Sequence, residues 1–524
     1  MRGFPYCLQS ASAVARLRMK DTRIMESKVS RRLRQATAPE ICEYIYEPRL
    51  AREFASGFAY LTQINQAHLL MLRRAGLLAP QAAAQLARVL RQMEREGPAA
   101  VPLDPQREDA YFNYEARLIE LAGVEAGGRL HIARSRNDIL ATHDRLRARD
   151  AGLALMDAVC DAWQRALDGA REYAGVVMPG YTHLQAAQPI TYGYYLAAVA
   201  ETLGRDLGRL EAALAGLEAC PLGAGALAGT AFPIQREETA RLLGFAACTS
   251  NALDSVASRD FAWELLAAMT VAAVTWSRVA QDFYVWSTPE FGLIEFPDSV
   301  AGTSSIMPQK KNPVVLEYLK GKAGHMIGLQ AAALSSVKES NFTHTGHGNR
   351  ESMRSFWEAA QECERGARLF GLVLGAARPL RAHMEARARQ DFSMATDLAD
   401  ALVRQADVSF RQAHHIVGAV VRQALDQGLP ADAITAQMID AAGREQLGRP
   451  MGLDPQTVAR CLDPVAGVAA RAVPGGPAPE RVAARAREQD DALRAARQRL
   501  AARRAALAQA AQSREQALEA LAAG

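Results

Sequence analysis

The sequence predicts an all-α fold in which long helices form a bundle. Three observations support this prediction: long stretches lack proline, apolar residues recur at helical spacing, and the alternation typical of strands is scarce. The valine pairs at 176–177 and 314–315 are too short to set up a sheet. Because a long helix needs a long partner to cover its apolar side, a bundle is the natural architecture.

The helices can be placed in chain order. The first covers residues 61–78, where leucine and isoleucine recur at spacings of three to five. Longer helices are predicted from proline-free runs rich in Ala, Leu and Arg or Glu, which span residues 138–175, 190–219, 260–287 and 314–338. Such lengths exceed the usual helix of about a dozen residues, which favours a large central bundle.

The segment after residue 479 consists mostly of Ala, Arg, Glu and Gln. Leu493, Leu500 and Leu507 lie seven residues apart, which is the spacing of a coiled-coil seam, although three repeats are few. Two interpretations stay open, a solvated helix that lies on the subunit and a coiled coil that binds a protein partner.

The composition limits the class of protein. The 524 residues suffice for two to four domains or one elongated subunit. The net charge of +4 is small for this length, and no apolar run approaches the roughly 20 residues that cross a bilayer, so we expect neither a nucleic acid nor a membrane as partner. The seven cysteines are scattered without a CxxC pair, which predicts no disulfide framework and no zinc site and suits a reducing cytoplasm.

Shifts in composition divide the chain. Residues 1–36 are basic and poor in acids, which predicts a disordered extension or an over-long start with Met19 or Met25 as the true first residue; a targeting peptide is the alternative. The domains expected after it are an N-terminal helical domain at 37–130, a central long-helix bundle at 131–378, a C-terminal helical domain at 379–475 and an Ala/Arg-rich helical tail at 476–524.

Residues 290–317 carry the most chemical information. They combine glycine, hydroxyls, lysines, an asparagine and two prolines in one loop, after which a helix begins. Ser304 and Ser305 offer hydroxyls, and Lys310 and Asn312 offer donors for an oxyanion. This mixture suits a loop that closes over a carboxylate and removes a carbon-bound proton; a polar surface loop is the structural alternative.

Three further polar segments interrupt the helices. Residues 131–138 hold two arginines, a hydroxyl and an amide, which suit either an anion with several oxygens or a helix N-cap with a surface ion pair. Thr182 and His183 precede a helix predicted from about Pro189, where an anion can dock and a histidine can exchange protons; a structural histidine is the alternative. Residues 221–230 are small, which allows the backbone to approach a ligand or another helix closely.

Together the four segments supply anion binding, a proton carrier and a hydroxyl beside cationic donors. The sequence has no phosphate loop, dinucleotide fingerprint, metal triad or GxSxG elbow. These features predict an elimination or addition on a substrate with several carboxylates, without a cofactor and without a metal.

The same residues resemble the motifs of the fumarase/aspartase superfamily and, within it, those of the argininosuccinate lyases. The superfamily loop GSSxMPxKxNP corresponds to residues 303–313. Argininosuccinate lyases add the blocks SRND, PGYTHLQ, PLGxGALAG, FSxATDLADxLVR and FRxAHHIxGxVV, which match residues 135–138, 179–185, 221–229, 392–404 and 410–420. The resemblance extends over about residues 44–487.

This resemblance implies a three-domain, nearly all-α subunit with a long central helix bundle. It implies a homotetramer in which each active site is assembled from three subunits. The implied reaction is β-elimination from an N-substituted aspartate, with argininosuccinate foremost, to fumarate and a free amine or guanidine such as arginine. No cofactor is implied, and the usual place of the reaction is cytoplasmic arginine biosynthesis.

The resemblance also assigns roles. Ser304 corresponds to the base that removes the Cβ proton, His183 to the acid that assists the leaving nitrogen, and Glu317 to the residue that holds this histidine. Lys310 and Asn312 correspond to the groups that stabilise the doubly charged carboxylate. The family's carboxylate binders correspond to Ser135, Arg136, Asn137 and Thr182.

The chain departs from the family where the arginine part of the substrate binds. His344, Asn349 and Ser352 stand where the family has a tyrosine, a glutamine and a lysine, and Thr303 occupies a family glycine. We predict that His344, Asn349 and Arg350 contact the leaving group, and that this group is an acidic or heteroatom-rich amine or guanidine other than arginine. The alternative is that residues elsewhere still bind arginine.

Three functions follow. The first is an argininosuccinate lyase, and the second is a lyase or synthase that acts on fumarate and a different amine in secondary metabolism. The third is a non-enzymatic protein on a lyase scaffold, as lens crystallins of this family are. The intact set of Ser304, His183, Lys310, Asn312 and Glu317 argues against the third.

Overall fold

A computed structural model of the chain describes residues 32–33 and 35–524. The basic extension predicted at 1–36, with its alternatives of a late start and a targeting peptide, lies almost wholly outside the described residues. No helix in the described part of the chain is both long and apolar enough to cross a membrane.

The first part of the chain is helical. A three-residue helix, Pro39–Ile41, and a π-helical turn, Cys42–Tyr46, lead into the first long helix. The main helices here are α1 (Glu47–Arg74), α2 (Pro80–Glu96) and α3 (Ala110–Gly127). The helix predicted at 61–78 is therefore real, but it begins earlier and ends at Arg74.

A bundle of long helices occupies the middle of the chain. Its helices and the short ones between them are α4 (Arg136–Glu172), α5 (Tyr192–Ala215), α6 (Arg236–Leu242), α7 (Ala252–Ala257), α8 (Asp260–Trp286), α9 (Val314–Ser335) and α10 (Gly346–Ala376). Helix α4 packs against α5 and α10, and α8 packs against α9. Their buried Ala, Leu, Val and aromatic side chains form one large apolar core. The predicted all-α fold with a long central bundle is confirmed.

The C-terminal part has a separate apolar cluster. Its helices are α11 (Arg381–Gln390), α12 (Ala395–Gln405), α13 (Phe410–Asp426), α14 (Ala436–Leu447), α15 (Pro455–Cys461) and α16 (Pro464–Ala470). The tail is a single helix, α17 (Pro479–Ala523). Leu493 and Leu500 are buried in the central core and Leu518 in the N-terminal cluster, so α17 lies along its own subunit.

Eight short strands form four two-stranded sheets in the described part of the chain. The longest pair is β1 (Val177–Thr182) and β2 (Gln185–Thr191), which run antiparallel. The others are β3 (Ala219–Cys220) with β4 (Ala247–Cys248), β5 (Ile294–Glu295) with β8 (Arg378–Pro379), and β6 (Gly302–Thr303) with β7 (Lys311–Asn312). The expectation that the valine pair at 176–177 sets up no sheet was wrong, because Val177 begins β1.

Candidate active site

Residues 301–313, which we name the serine loop, are closed at the base by β6 and β7. The Ser304 hydroxyl accepts hydrogen bonds from the backbone N–H groups of Ile306 (3.4 Å) and Met307 (3.1 Å). The Asn312 amide donates to the Thr303 carbonyl at 3.2 Å. These bonds fold the loop tip back over Ser304 and aim two N–H dipoles at its oxygen, which is the polarity that a negatively charged oxygen requires.

The remaining polar groups of the serine loop face outward. Ser305 and Lys310 are exposed, and the Lys311 ammonium pairs with the Asp298 carboxylate at 2.7 Å. Glu317 lies in the first turn of α9, where its carboxylate accepts a hydrogen bond from the Tyr284 hydroxyl at 3.3 Å. The loop therefore carries a hydroxyl, an ammonium and a carboxylate that are open to a ligand or to another chain.

Thr182 and His183 lie at the tip of the β1–β2 hairpin. The prediction that they precede a helix near Pro189 was wrong, because β2 continues to Thr191 and α5 begins at Tyr192. His183 and Leu184 form the two-residue turn with φ of 57° and 58°, a left-handed conformation that non-glycine residues rarely adopt. Such backbone strain is typical of functional sites. The turn places the exposed His183 imidazole at the end of the hairpin.

Ser135 to Asp138 form the start of α4. Ser135 and Asp138 make a reciprocal capping box at the start of this helix. Within one chain, the segment therefore has the contacts of the N-cap alternative. The Arg136 guanidinium pairs with the carboxylates of Glu108 (3.2 Å) and Asp109 (2.8 Å). The role of Ser135 and Arg136 as carboxylate binders stays a prediction.

The small residues at 221–230 form a loop that docks on the start of α4. The buried Asp138 carboxylate accepts hydrogen bonds from the N–H groups of Gly223 and Gly225, both at 2.9 Å, and burial raises the pKa of Asp138 to about 6 despite these bonds. Gly225 has φ of 63°, and a Cβ atom there would lie 2.7 Å from the Gly229 carbonyl oxygen. Asn137 donates to the Ala226 carbonyl at 3.1 Å, which fixes the loop beside the helix start.

His344, Asn349 and Arg350 line one cavity, with about 730 Å³ of empty space including its mouth. We name it the arginine pocket, because Arg49, Arg147, Arg259, Arg350 and Arg354 line it together with Glu53, Asp109, Asp144, His143, His344, Asn349 and Trp357. Its walls come from α1, the start of α3, the first turns of α4, the segment before α8 and the start of α10. The three residues predicted to contact the leaving group are thus brought together by the fold.

The polar groups of α10 in the arginine pocket are fixed by short-range contacts. The Asn349 amide donates to the Val256 carbonyl and to Nδ1 of His344, both at 3.3 Å. Burial, together with the nearby Arg259 and Arg350, lowers the pKa of His344 to about 4, so the ring is neutral at neutral pH. Because Nδ1 accepts, Nε2 carries the hydrogen. Ser352 is fully buried and accepts from the Trp263 indole at 2.6 Å, so it packs under the pocket instead of lining it.

Arg49, Glu53, Arg147 and Arg259 were not predicted from the sequence, although all line the arginine pocket. Arg259 is 1% exposed; its guanidinium pairs with Asp144 at 2.9 Å and donates to the Ser258 carbonyl at 3.0 Å. One residue gave a weak indication of this site, because Arg49 lies among the buried apolar positions of α1. Charged residues at core positions of a helix indicate a buried polar site.

The predicted site residues form four groups in one chain: the serine loop with Glu317, the tip of the β1–β2 hairpin, the start of α4, and the arginine pocket. His183 makes no hydrogen bond or ion pair with Ser304, Lys310 or Glu317 among residues 32–33 and 35–524. No cluster of three or more His, Cys, Asp or Glu residues in the described chain could hold a metal ion.

Comparisons with known proteins agree with these motifs. A family model described as lyase matches residues 49–328, and another, described as argininosuccinate lyase C-terminal, matches residues 392–469. Argininosuccinate lyase 1 of Shouchella clausii is 40% identical over 469 residues, which cover 90% of this chain and 94% of the relative. Argininosuccinate lyase of Methanothermobacter thermautotrophicus is 38% identical over 440 residues, which cover 82% of this chain and 93% of the relative.

Two solved structures are also similar to this chain. An EDDS lyase variant with bound fumarate is 31% identical with a TM-score of 0.83, and the match covers 93% of this chain and 96% of that one. The 3-carboxy-cis,cis-muconate lactonizing enzyme of Pseudomonas putida, at 18% identity and a TM-score of 0.68 over 86% of this chain and 99% of that one, shares the fold. The chain therefore belongs to the argininosuccinate lyase family within the fumarase/aspartase superfamily, and it is a carbon–nitrogen lyase that forms fumarate.

Proposed function

We propose that the enzyme cleaves an N-substituted aspartate by β-elimination, with Ser304 as the base and His183 as the acid. Ser304 removes the proton from Cβ, the electron pair forms the Cα–Cβ double bond, and the Cα–N bond breaks as His183 protonates the leaving nitrogen. The products are fumarate and a free amine or guanidine. One observation carries this proposal. The Ser304 hydroxyl accepts hydrogen bonds from two backbone N–H groups, in a loop that also holds Lys310.

The chemistry explains why a serine needs this setting. A hydroxyl is a poor base until its alkoxide is stabilised, and the N–H groups of Ile306 and Met307 supply that stabilisation. The carbanion formed at Cβ places a second negative charge on the neighbouring carboxylate. Donors such as Lys310 and Asn312 would meet this charge, and one preorganised donor is typically worth about 3–4 kcal/mol of barrier.

We also infer a homotetramer with shared sites, which this mechanism requires. His183 and Glu317 do not meet Ser304 within one chain, so other copies of the chain would have to complete the site. Helices α8 and α9 expose apolar side chains along the bundle, which are Val271 (45% exposed), Ile327 (53%) and Leu334 (44%). Such a surface is expected to be covered by further copies. Light scattering should report four chains per particle, and a monomer that keeps full activity would contradict the shared site.

Argininosuccinate is the first substrate to test, because both family relatives described above are argininosuccinate lyases. Purified enzyme is mixed with argininosuccinate, and fumarate is followed by its ultraviolet absorbance. Rapid fumarate release would establish argininosuccinate as a substrate. No release at high enzyme concentration would exclude it and leave the elimination chemistry open for other N-substituted aspartates.

A second candidate is a lyase, or in reverse a synthase, for a different amine. His344, Asn349 and Ser352 replace the family residues that contact arginine, and the chain is similar to an EDDS lyase that binds fumarate. Incubation of the enzyme with fumarate and a panel of amines would separate the two candidates. A new N-substituted aspartate from an amine other than arginine, with no reaction of arginine, would favour the second.

A further inference from the structure

The charges of the arginine pocket do not balance. Of its carboxylates, Asp144 is paired with Arg259 at 2.9 Å, and Asp109 is paired with Arg136 at 2.8 Å. The guanidiniums of Arg147 and Arg350 also line the cavity, yet neither makes an ion pair or hydrogen bond with any described residue. Arg49 likewise has no carboxylate partner in the described part of the chain, since it donates to the Glu108 backbone carbonyl, so the pocket holds three cations without anionic partners.

The neighbours of these cations do not neutralise them. Arg147 lies over the Trp357 ring at 4.1 Å, which orients its plane but leaves its donors open. Burial and the nearby Arg49 lower the pKa of Arg350, and Asp109 and Glu53, which do not reach ion-pair distance, offset this only in part. Glu53 is the remaining carboxylate, and burial raises its pKa, which weakens it as a counter-ion. His344 is neutral and directs Nε2–H as a further donor.

We propose that the arginine pocket binds a carboxylate on the amine that leaves, with Arg350 and Arg147 as its partners. The substrates are then N-(carboxyalkyl)aspartates, which carry three carboxylates. This inference rests on the proposed function, since it assigns the leaving-group end of the same substrate. A guanidinium binds a carboxylate in a bidentate manner, and the unpaired guanidiniums that line this cavity offer such partners.

Arginine itself fits the arginine pocket less well. Its amino acid head carries an ammonium as well as a carboxylate, and the ammonium would need an acceptor of full negative charge. Asp109 and Asp144 are already paired, so only Glu53 could serve. An ammonium beside several guanidiniums and one weakened carboxylate would be poorly compensated. The pocket therefore selects an amine with an acidic group and no additional cation.

Binding of substrate analogues that cannot react tests this inference without turnover. The probe is the analogue of N-(carboxymethyl)aspartate in which a methylene replaces the leaving nitrogen, and the control is propylsuccinate, where a methyl group replaces the third carboxylate. Isothermal titration calorimetry on the assembled wild-type enzyme should show about 10- to 100-fold tighter binding of the tricarboxylate. Equal affinities would overturn the inference.

Two variants test whether Arg350 causes this difference in affinity. Arg350→Leu should bring the two affinities within about threefold of each other, since the charge-assisted bonds are lost. Arg368→Leu is the matched control, because Arg368 lies on the same helix and binds Glu364 outside the pocket; it should keep the full difference. If Arg350→Leu does not fold, Arg147→Leu replaces it. A difference that survives in the folded variant would overturn the assignment.

Failure of the proposed function would look different. In that case no N-substituted aspartate releases fumarate at any enzyme concentration, while the tricarboxylate still binds more tightly than propylsuccinate. If fumarate is released but the two analogues bind equally, the elimination stands and the carboxylate site is wrong.

Discussion

The serine loop and the arginine pocket both belong to the predicted active site, but they are built in different ways. The serine loop is exposed and is held by a two-residue strand pair and a few hydrogen bonds to Ser304 and Asn312. The arginine pocket is enclosed by five segments of one chain and is held by the ion pair of the buried Arg259 with Asp144. The serine loop is therefore held by few and exposed contacts, and the arginine pocket by more enclosed ones.

The same difference separates what matches the family from what departs from it. The residues of the serine loop follow the superfamily motif, and under the proposed tetramer they act together with His183 from another chain. His344 and Asn349 depart from the family, and they lie where one chain alone forms the walls. Under the proposed tetramer, amine specificity can therefore change through residues of one chain.

The largest expected effect is on the serine loop. Ser304→Ala should lower kcat by about 10²- to 10⁴-fold, because the base is lost. The melting temperature should change little, since the hydroxyl accepts bonds only from its own loop. Fumarate release and a thermal melt measure the two quantities.

Ser305→Ala is the matched control for this variant, because Ser305 is adjacent and exposed and has no part in the proposed proton transfer. It should keep most of the turnover. If Ser304→Ala stays near wild-type activity, Ser304 is not the base.

The long helices could be predicted from the sequence almost to their ends. The run at 138–175 became Arg136–Glu172, and the run at 260–287 became Asp260–Trp286. The ends of a proline-free amphipathic run can be found in the sequence, because the helical pattern depends on residues only three and four positions apart. The β1–β2 hairpin was not predicted, because its turn consists of His183 and Leu184 in place of the usual Asn-Gly pair.

The site was predictable only where its residues are neighbours in sequence. Ser304, Lys310 and Asn312 lie in one motif, so their joint chemistry can be read directly. Arg147 and Arg259 lie more than a hundred residues apart and resemble ordinary helix-surface charges in the sequence. Only the packing of α4 against α10 and the segment before α8 brings them to one cavity.

The second expected effect tests the rigidity of the arginine pocket. Arg259→Leu should lower the free energy of unfolding by about 3 kcal/mol, because it leaves the half-buried Asp144 carboxylate without its guanidinium. Chemical denaturation measures this loss. The double variant Arg259→Leu/Asp144→Leu should lose less than the sum of the two single variants, since no buried charge is then left alone. Strict additivity would show that the pair does not hold the pocket.

A smaller effect concerns pH. The pKa of His344 is about 4 in the folded chain and 6.5 when unperturbed, so the unfolded state binds more protons between these values. The stability that this group contributes is complete above pH 6.5 and is lost as pH falls through about 4. His344→Gln removes this titration, so its stability should fall less than that of the wild type between pH 7 and 4.5, by about 1 kcal/mol after allowance for the partly exposed ring. Parallel curves would show that His344 is not held neutral by the pocket.

The smallest effect returns to the serine loop. Lys311→Ala removes the ion pair with Asp298, whose carboxylate is fully exposed, and exposed pairs contribute little to stability because water and salt screen them. The melting temperature should stay within about 1 °C of the wild-type value, in contrast to the large loss expected for Arg259→Leu. The backbone bonds of Lys311 in β7 do not depend on its side chain, so the loop should keep its shape and kcat should change less than threefold, roughly. A large fall in melting temperature would mean that the serine loop is as firmly built into the fold as the arginine pocket, and the contrast between the two regions would not hold.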